Sequence, residues 1–207
     1  MYTVPLESQP AFYDIKKSRF IGYTHALASP NELNLLLSQV KTEWAGATHY
    51  VYAYRLPNGI DKAYDDGEPH ATAGLPILHL LAKKNLFHTL IIVVRYYGGI
   101  KLGHGGLVHA YQKAAQLSVD NTKWGQLVPV FDLSVTVPYT SYDMVRRLVE
   151  PQVARFCPTF TTDVAISFSI AQSDWEPLYS QLKDLTAGAF AVNHMIPRWD
   201  VVGKSPD

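Results

Sequence analysis

The sequence predicts an α+β protein with two domains, residues 1–127 and residues 128–207. Segments with the alternation typical of β-strands are interleaved with amphipathic helical segments, as in a sheet covered by helices. The formal charge also changes along the 207 residues: residues 1–127 carry twelve Lys/Arg against nine Asp/Glu, whereas the remainder carries six against nine. Finally, the second part reads β-α-β-β-α-β, which is the element order of a ferredoxin-like domain.

The first domain is expected to be a mixed sheet with helices on one face. Its first helix is the most clearly marked, because Ser29 and Glu32 form a capping box, Pro30 suits the first turn and Gly46 follows the end. The apolar strand before the glycines is expected at the centre of the sheet. Strands are predicted over 11–27 with a break at 17–18, over 48–56 and over 88–97, and helices over 29–45, 72–84 and 106–120.

The second domain is expected to follow a linker at residues 121–128, a polar stretch with Gly125 before Pro129. The only cysteine, Cys157, has no cysteine partner and stands beside a proline in an apolar context, so it is expected in the core. Strands are predicted over 130–137, 157–161, 164–170 and 189–196, and helices over 141–149 and 174–186.

Composition excludes several classes of protein. The first residues show no basic segment followed by an apolar run, so no secretory signal is expected. The longest apolar stretch, Leu90 to Val94, is far shorter than the ~20 residues of a membrane span. A single cysteine fits a reducing compartment, and a cytoplasmic protein without a membrane partner is therefore expected. A monomer is compatible with the sequence, which does not fix the oligomeric state.

The segment RYYGGIKLGHGG, residues 95–106, concentrates five of the 13 glycines in one loop. The loop lies between an apolar strand and a helix, where an anion can meet free backbone N–H groups at the helix N-terminus. Glycines there also fit close packing of the loop against a helix, without any ligand. The basic residues Arg95, Lys101 and His104 favour an anion or a partner surface.

Two nucleotide-binding templates fail in this loop. Gly98 and Gly103 have the glycine spacing of a P-loop, but His104-Gly105 replaces the required Lys-Ser/Thr. Gly103 and Gly105 begin a dinucleotide fingerprint, but Val108 stands where the third glycine belongs. An ATPase or a Rossmann dehydrogenase is therefore not expected.

An acidic loop precedes the second helix and carries Asp65, Asp66 and Glu68 beside His70. Its spacing matches no calcium loop, and capping of the following helix is the simpler interpretation. The histidines form no zinc motif, and no nucleophile-base pattern is visible, so no catalytic residue, metal or cofactor is predicted. Tyr50, Tyr52 and Tyr54 share one strand face, which suits either packing under helices or base stacking.

The segments DDGEPHATAG (65–74) and VVRYYGGIKLGHGGLVHAY (93–111) resemble the IMPACT family in its two-domain bacterial YigZ-type form. SRFIGY (18–23) and ATHYVYAYRL (47–56) resemble two further motifs of that family, in the same order. There are departures: His70-Ala71 stands where members usually show Ser-Gly, His104 replaces a threonine, and Val51 takes a place that is often cysteine.

The resemblance implies that the first domain has a ribosomal-protein-like fold, which is shared by a protein of the small ribosomal subunit and by elongation-factor domains. It also implies that the second domain is similar to the last domain of elongation factor G. Eukaryotic members regulate translation initiation through a separate N-terminal domain. For the bacterial form, the resemblance implies binding of nucleic acid or of the translation machinery.

We therefore expect a non-catalytic, cytoplasmic protein that binds RNA, the ribosome or a translation factor. Phosphate would contact Arg95 and Lys101, and the acidic residues would orient Arg95. One alternative is an enzyme for a small phosphorylated or peptide substrate, with a divalent metal at the acidic and glycine loops. Another is a protein-interaction module. The predicted binding residues are Lys16, Lys17, Arg19, Arg95, Tyr96, Tyr97, Gly98, Gly99, Lys101, Gly103, His104 and Gly105, and the acidic cluster is Asp65, Asp66 and Glu68.

Overall fold

The computed structural model describes residues 2–203. It contains two compact units, residues 2–126 and residues 127–201. Within the described residues, no helix combines the length and the apolar character needed to cross a membrane.

The elements of the first unit are β1 (Tyr2–Ser8), β2 (Ala11–Ile15), β3 (Ser18–Ala26), α1 (Leu33–Glu43), β4 (His49–Leu56), β5 (Ile60–Tyr64), α2 (Gly74–Lys83), β6 (Thr89–Tyr96), α3 (His104–Asp120) and the start of β7 (Thr122–Val137). Strands β2 to β6 form a five-stranded sheet with the order β2-β3-β6-β4-β5, and its four strand pairs are all antiparallel. The expected mixed sheet is therefore wrong in this detail. Strands β3 and β4, which α1 connects, run in the same direction, but β6 lies between them and is antiparallel to both.

Helices cover both faces of this sheet, which corrects the expectation of one covered face. The helices α2 and α3 pack on the face that carries Phe20, Val51 and Val93. Helix α1 packs on the opposite face, over Tyr52 and Tyr54. The physical reason is the central strand β6, which is apolar on both sides and must be shielded from water on both.

Three local predictions differ from the structure. The Ser29 side chain makes no capping hydrogen bond, and Glu32 instead accepts one from the Ala28 N–H at 3.0 Å. Strands β1 and β5 form where no strand was predicted. Residues 122–128 belong to β7 rather than to a linker, and their first part lies beside β1, with Lys123 Nζ 2.8 Å from Glu7 Oε2.

The second unit has the ferredoxin-like order predicted from the sequence, and the α+β class is confirmed. After β7 come α4 (Tyr139–Val149), β8 (Ala154–Phe160), β9 (Val164–Ala171), α5 (Gln172–Leu185) and β10 (Ala191–Gly203). The strands are arranged β8-β9-β7-β10, and the apolar core lies between this sheet and α4 and α5. Cys157 is exposed rather than buried, because its strand neighbour Phe156 takes the core side of β8.

Candidate functional site: a pocket at the glycine loop

The first glycine of the loop, Gly98, lies so close to a neighbouring turn that no side chain would fit. The turn between β2 and β3 contains Lys16 and Lys17, both with positive φ, 45° and 66°. A Cβ atom on Gly98 would lie 2.0 Å from the Lys17 carbonyl oxygen, closer than any side chain can approach. The Gly98 N–H donates to Ser18 Oγ at 3.2 Å. This part of the loop is therefore packed against protein and not open to a ligand.

The later glycines shape the beginning of α3. Gly103 is the residue before the helix, with a φ of 75°, and no side chain caps the helix N-terminus. Nothing lies within 4 Å of a Cβ built on Gly105, so the first turn faces open space. Free N–H groups at the start of a 17-residue helix form a positive end that attracts anions.

Two residues of the acidic loop accept hydrogen bonds from backbone N–H groups. Asp65 caps α2: its carboxylate accepts hydrogen bonds from Ala71, Ala73 and Gly74 N–H at 2.9, 3.2 and 2.8 Å. Asp66 Oδ2 accepts a hydrogen bond from the Tyr50 N–H at 2.7 Å. Neither carboxylate lines the pocket described below.

The third acidic residue, Glu68, forms a buried ion pair with Arg95. The side chains are 3% and 5% exposed, and Arg95 Nη1 donates to Glu68 Oε1. Tyr111 Oη donates to the same oxygen at 2.7 Å, and burial, together with the Glu68 charge, raises the pKa of Tyr111. His49 Nε2 lies 3.8 Å from this oxygen. Glu68 thereby offsets the cost of burying the guanidinium.

Two aromatic rings contact the Arg95 guanidinium. Its central carbon lies 5.2 Å from the Phe20 ring centroid and 5.4 Å from that of Tyr97, distances typical of cation–π contacts. Its Nε is buried without a hydrogen-bond partner among the residues that the structure describes. The cation is thus fixed in position while part of its donor capacity is unused.

These groups meet in a concave site of about 460 Å³, which we call the glycine-loop pocket. Glu68 and Arg95 form part of its wall, and Lys101 and His104 add exposed basic groups beside the start of α3. Without histidine, the formal charge of the lining is +1. The complete lining is Thr48, His49, Glu68, Pro69, Arg95, Tyr97, Lys101, Leu102, Gly103, His104 and Leu107.

The other predicted binding residues lie outside this pocket. Tyr96 is directed to the opposite sheet face, where its hydroxyl donates to the Ala45 carbonyl at 3.1 Å. Arg19 is exposed and pairs with Asp14 at 2.9 Å. Gly98, Gly99 and Gly105 belong to the loop and helix start without lining the pocket, and Lys16 and Lys17 form the β2–β3 turn.

Sequence reasoning missed four residues that build the site. Phe20 and His49 stand opposite Arg95 in the neighbouring strands β3 and β4, a consequence of strand register that the sequence does not reveal. Tyr111 reaches Glu68 from the second turn of α3. Thr48 Oγ1 accepts a hydrogen bond from the Tyr97 N–H at 3.0 Å. All four residues lie within the family-like segments 18–23, 47–56 and 93–111, which is the signal by which the sequence could have indicated them.

The described residues of the pocket offer no set of side chains that could hold a metal ion. Within residues 2–203, no group of three or more His, Cys, Asp or Glu side chains is arranged to hold a metal ion. Asp65 and Asp66 are occupied by backbone N–H groups, and Glu68 by Arg95 and Tyr111.

Fold and pocket define a two-unit α+β protein with a basic pocket at a helix N-terminus, and residues 16–119 match the model of the Impact N-terminal domain. An IMPACT family member of Haemophilus influenzae is 30% identical over 196 residues, which is 92% of this chain and 95% of that protein. YigZ of Escherichia coli is 36% identical over 72% of this chain and 74% of its own length. The chain belongs to the IMPACT family.

Two further comparisons bear on its parts. YvyE of Bacillus subtilis, another IMPACT family member, is 44% identical over 102 residues, which is 48% of this chain and 47% of that protein. A solved structure described as that of a hypothetical protein has a TM-score of 0.63 at 24% identity, covering 92% of this chain and 95% of that one. That likeness concerns the fold alone.

Proposed function

We propose that this chain is a non-catalytic, cytoplasmic protein that binds RNA, alone or as part of the ribosome, and that a backbone phosphate of this RNA occupies the glycine-loop pocket. The observation that carries the proposal is the meeting of Arg95 with the uncapped N-terminus of α3 in one pocket. Backbone N–H groups, a fixed guanidinium and the Lys101 ammonium are the donors that phosphate prefers. The family resemblance to proteins of translation supports the same class of partner.

The acidic residue in the pocket is compatible with this proposal. Glu68 is already neutralised by Arg95 and hydrogen-bonded by Tyr111, so its charge is compensated before a ligand arrives. The positive end of α3 and Lys101 then remain as the uncompensated charges. The excess of three basic residues in 1–127 has the same sign.

The metal-dependent enzyme has less support. It requires Asp65, Asp66, Glu68 and Arg95 to converge on one substrate, but Asp65 and Asp66 are used to cap α2 and to fix the start of β4. The single carboxylate of the pocket is already paired with Arg95, so the described lining supplies no metal cage.

Fluorescence anisotropy of labelled single-stranded RNA across a salt series tests the proposal. The logarithm of the affinity should fall linearly with that of the salt concentration, and Lys101→Glu should make the slope less steep by roughly 0.7 per lost phosphate contact. Lys62→Glu is the matched control, because Lys62 is exposed on β5 and outside the pocket. Absence of binding at low salt, or equal slopes for the two variants, would overturn the proposal.

A further inference from the structure

A second concave surface, of about 450 Å³, lies at the same end of the β3–β6 strand pair as the glycine-loop pocket. Tyr96 stands between Arg95 and Tyr97 in sequence, and successive side chains of a strand point to opposite faces. The two concave surfaces are therefore on opposite faces of one sheet end. We call the second one the aromatic groove; it is lined by Asp14, Lys17, Ser18, Arg19, Trp44 and Tyr96.

The polar edges of the aromatic rings in this groove are already bonded to protein. Trp44 Nε1 donates to Tyr23 Oη, and Tyr96 Oη donates to the Ala45 carbonyl. Phe12, which is 50% exposed, extends the aromatic surface with its ring centroid 5.8 Å from that of Trp44. Ring faces held in this way can take part in stacking without a further loss of side-chain freedom.

Two kinds of ligand commonly bind aromatic surfaces, cationic side chains and nucleobases, and the charges of the groove favour one of them. Arg19 and Asp14 compensate each other, whereas Lys17 forms no ion pair within residues 2–203. A cationic side chain, the other common ligand of aromatic surfaces, would meet this ammonium group. A nucleobase attached to a phosphate instead gains both stacking and attraction.

We propose that the aromatic groove stacks an unpaired base of the same RNA whose phosphate enters the glycine-loop pocket. This inference rests on the proposed function and adds a second subsite to it. The β2–β3 turn, with Lys16 and Lys17, lies between the two subsites, because the Lys17 backbone contacts Gly98 of the glycine loop. The RNA strand therefore passes over this basic turn, from the glycine-loop pocket on one face of the sheet to the aromatic groove on the other.

Anisotropy with two matched ligands tests the inference on the full chain: a ten-nucleotide oligouridylate and an abasic ribose-phosphate chain of the same length and charge. The wild type should bind the oligouridylate about fivefold or more tightly than the abasic chain, the contribution of one stacked base. Phe12→Leu and Trp44→Leu should reduce this preference while leaving the salt slope unchanged. Phe160→Leu is the control, since Phe160 is a comparably exposed aromatic, at 54%, in the second unit.

Each outcome has a distinct meaning. Equal affinity of the wild type for both ligands, or an unchanged preference in both Phe12→Leu and Trp44→Leu with native thermal transitions, overturns the stacking subsite while leaving the phosphate pocket intact. Tighter binding of a ten-residue lysine peptide than of the oligouridylate, abolished by Phe12→Leu, overturns it in favour of a cationic partner. Absence of binding to either nucleic-acid ligand removes the proposed function and the subsite together.

Discussion

At the scale of single residues, the buried Arg95 determines the character of the site. An arginine inside a protein is costly unless it is paired and hydrogen-bonded. Glu68 supplies the pairing, and Phe20 and Tyr97 supply the flanking rings. Of the three acidic residues expected to orient Arg95, Glu68 is the one that contacts it. Substituting Arg95 itself would disturb the core as well as binding, so Lys101 is the better probe of binding.

Ala71 is strained in the acidic loop. Its φ is 59°, a left-handed value that costs a residue with a Cβ roughly 1–2 kcal/mol relative to glycine. Ala71→Gly should therefore raise the free energy of unfolding by up to about 1 kcal/mol, less the entropy that glycine gains in the unfolded chain. Urea denaturation measures the change. Ala45→Gly, at an exposed position without a positive φ, should not stabilise, and equal effects of both changes would contradict the strain.

His25 should make stability depend on pH. Burial lowers the pKa of His25 below its ordinary value of 6.5, with the Glu43 charge partly opposing, and Nε2 has no partner within the described chain. As the pH falls below 6.5, the unfolded chain binds this proton before the folded one, so the free energy of unfolding decreases.

Urea denaturation at pH 7.5 and 5.0 checks this dependence. His25→Gln should lose less stability between these pH values than the wild type, because the titrating group is gone. His109→Gln, at an exposed position on α3, should lose as much as the wild type. If both variants retain the wild-type dependence, His25 is not its source.

At the scale of elements, the glycine loop combines two roles that the sequence could not separate. Gly98 is required by close approach to the Lys17 backbone, whereas Gly105 has open space within the first turn of α3. Gly98→Ala should destabilise by about 1–3 kcal/mol, since two turns must move apart. Gly105→Ala should be neutral or stabilise by up to about 1 kcal/mol, since alanine favours the helix. Equal effects in thermal or urea unfolding would contradict this division.

Patterns within one element predicted the fold well, and contacts between elements account for the errors. Pro30 at the first turn and Gly46 after the end predicted α1, but not which face of the sheet it covers. Likewise, the register that sets His49 opposite Arg95 depends on how β4 pairs with β6. The sequence therefore indicated Arg95, Lys101 and His104 as site residues, while Phe20, His49, Tyr111 and Trp44 emerged only from the structure.

At the scale of the whole molecule, the formal charge of zero conceals an excess of three basic residues in 1–127 and of three acidic residues in 128–207. An anionic partner is therefore expected to use the first unit, where both proposed subsites lie. An excess of this size aids association without defining a site, so specificity must come from the two concave surfaces.

The proposed phosphate site at the start of α3 can be tested at the level of single backbone N–H groups. The most direct measurement is a ¹⁵N–¹H correlation spectrum of the full chain during titration with the ten-nucleotide oligouridylate. Saturable shifts of the Gly105 and Gly106 amide signals are expected, while that of Gly59, in the turn between β4 and β5 and outside both subsites, stays in place. Saturable binding that leaves Gly105 and Gly106 unshifted would contradict a phosphate site at the start of α3, because the phosphate would then lie elsewhere.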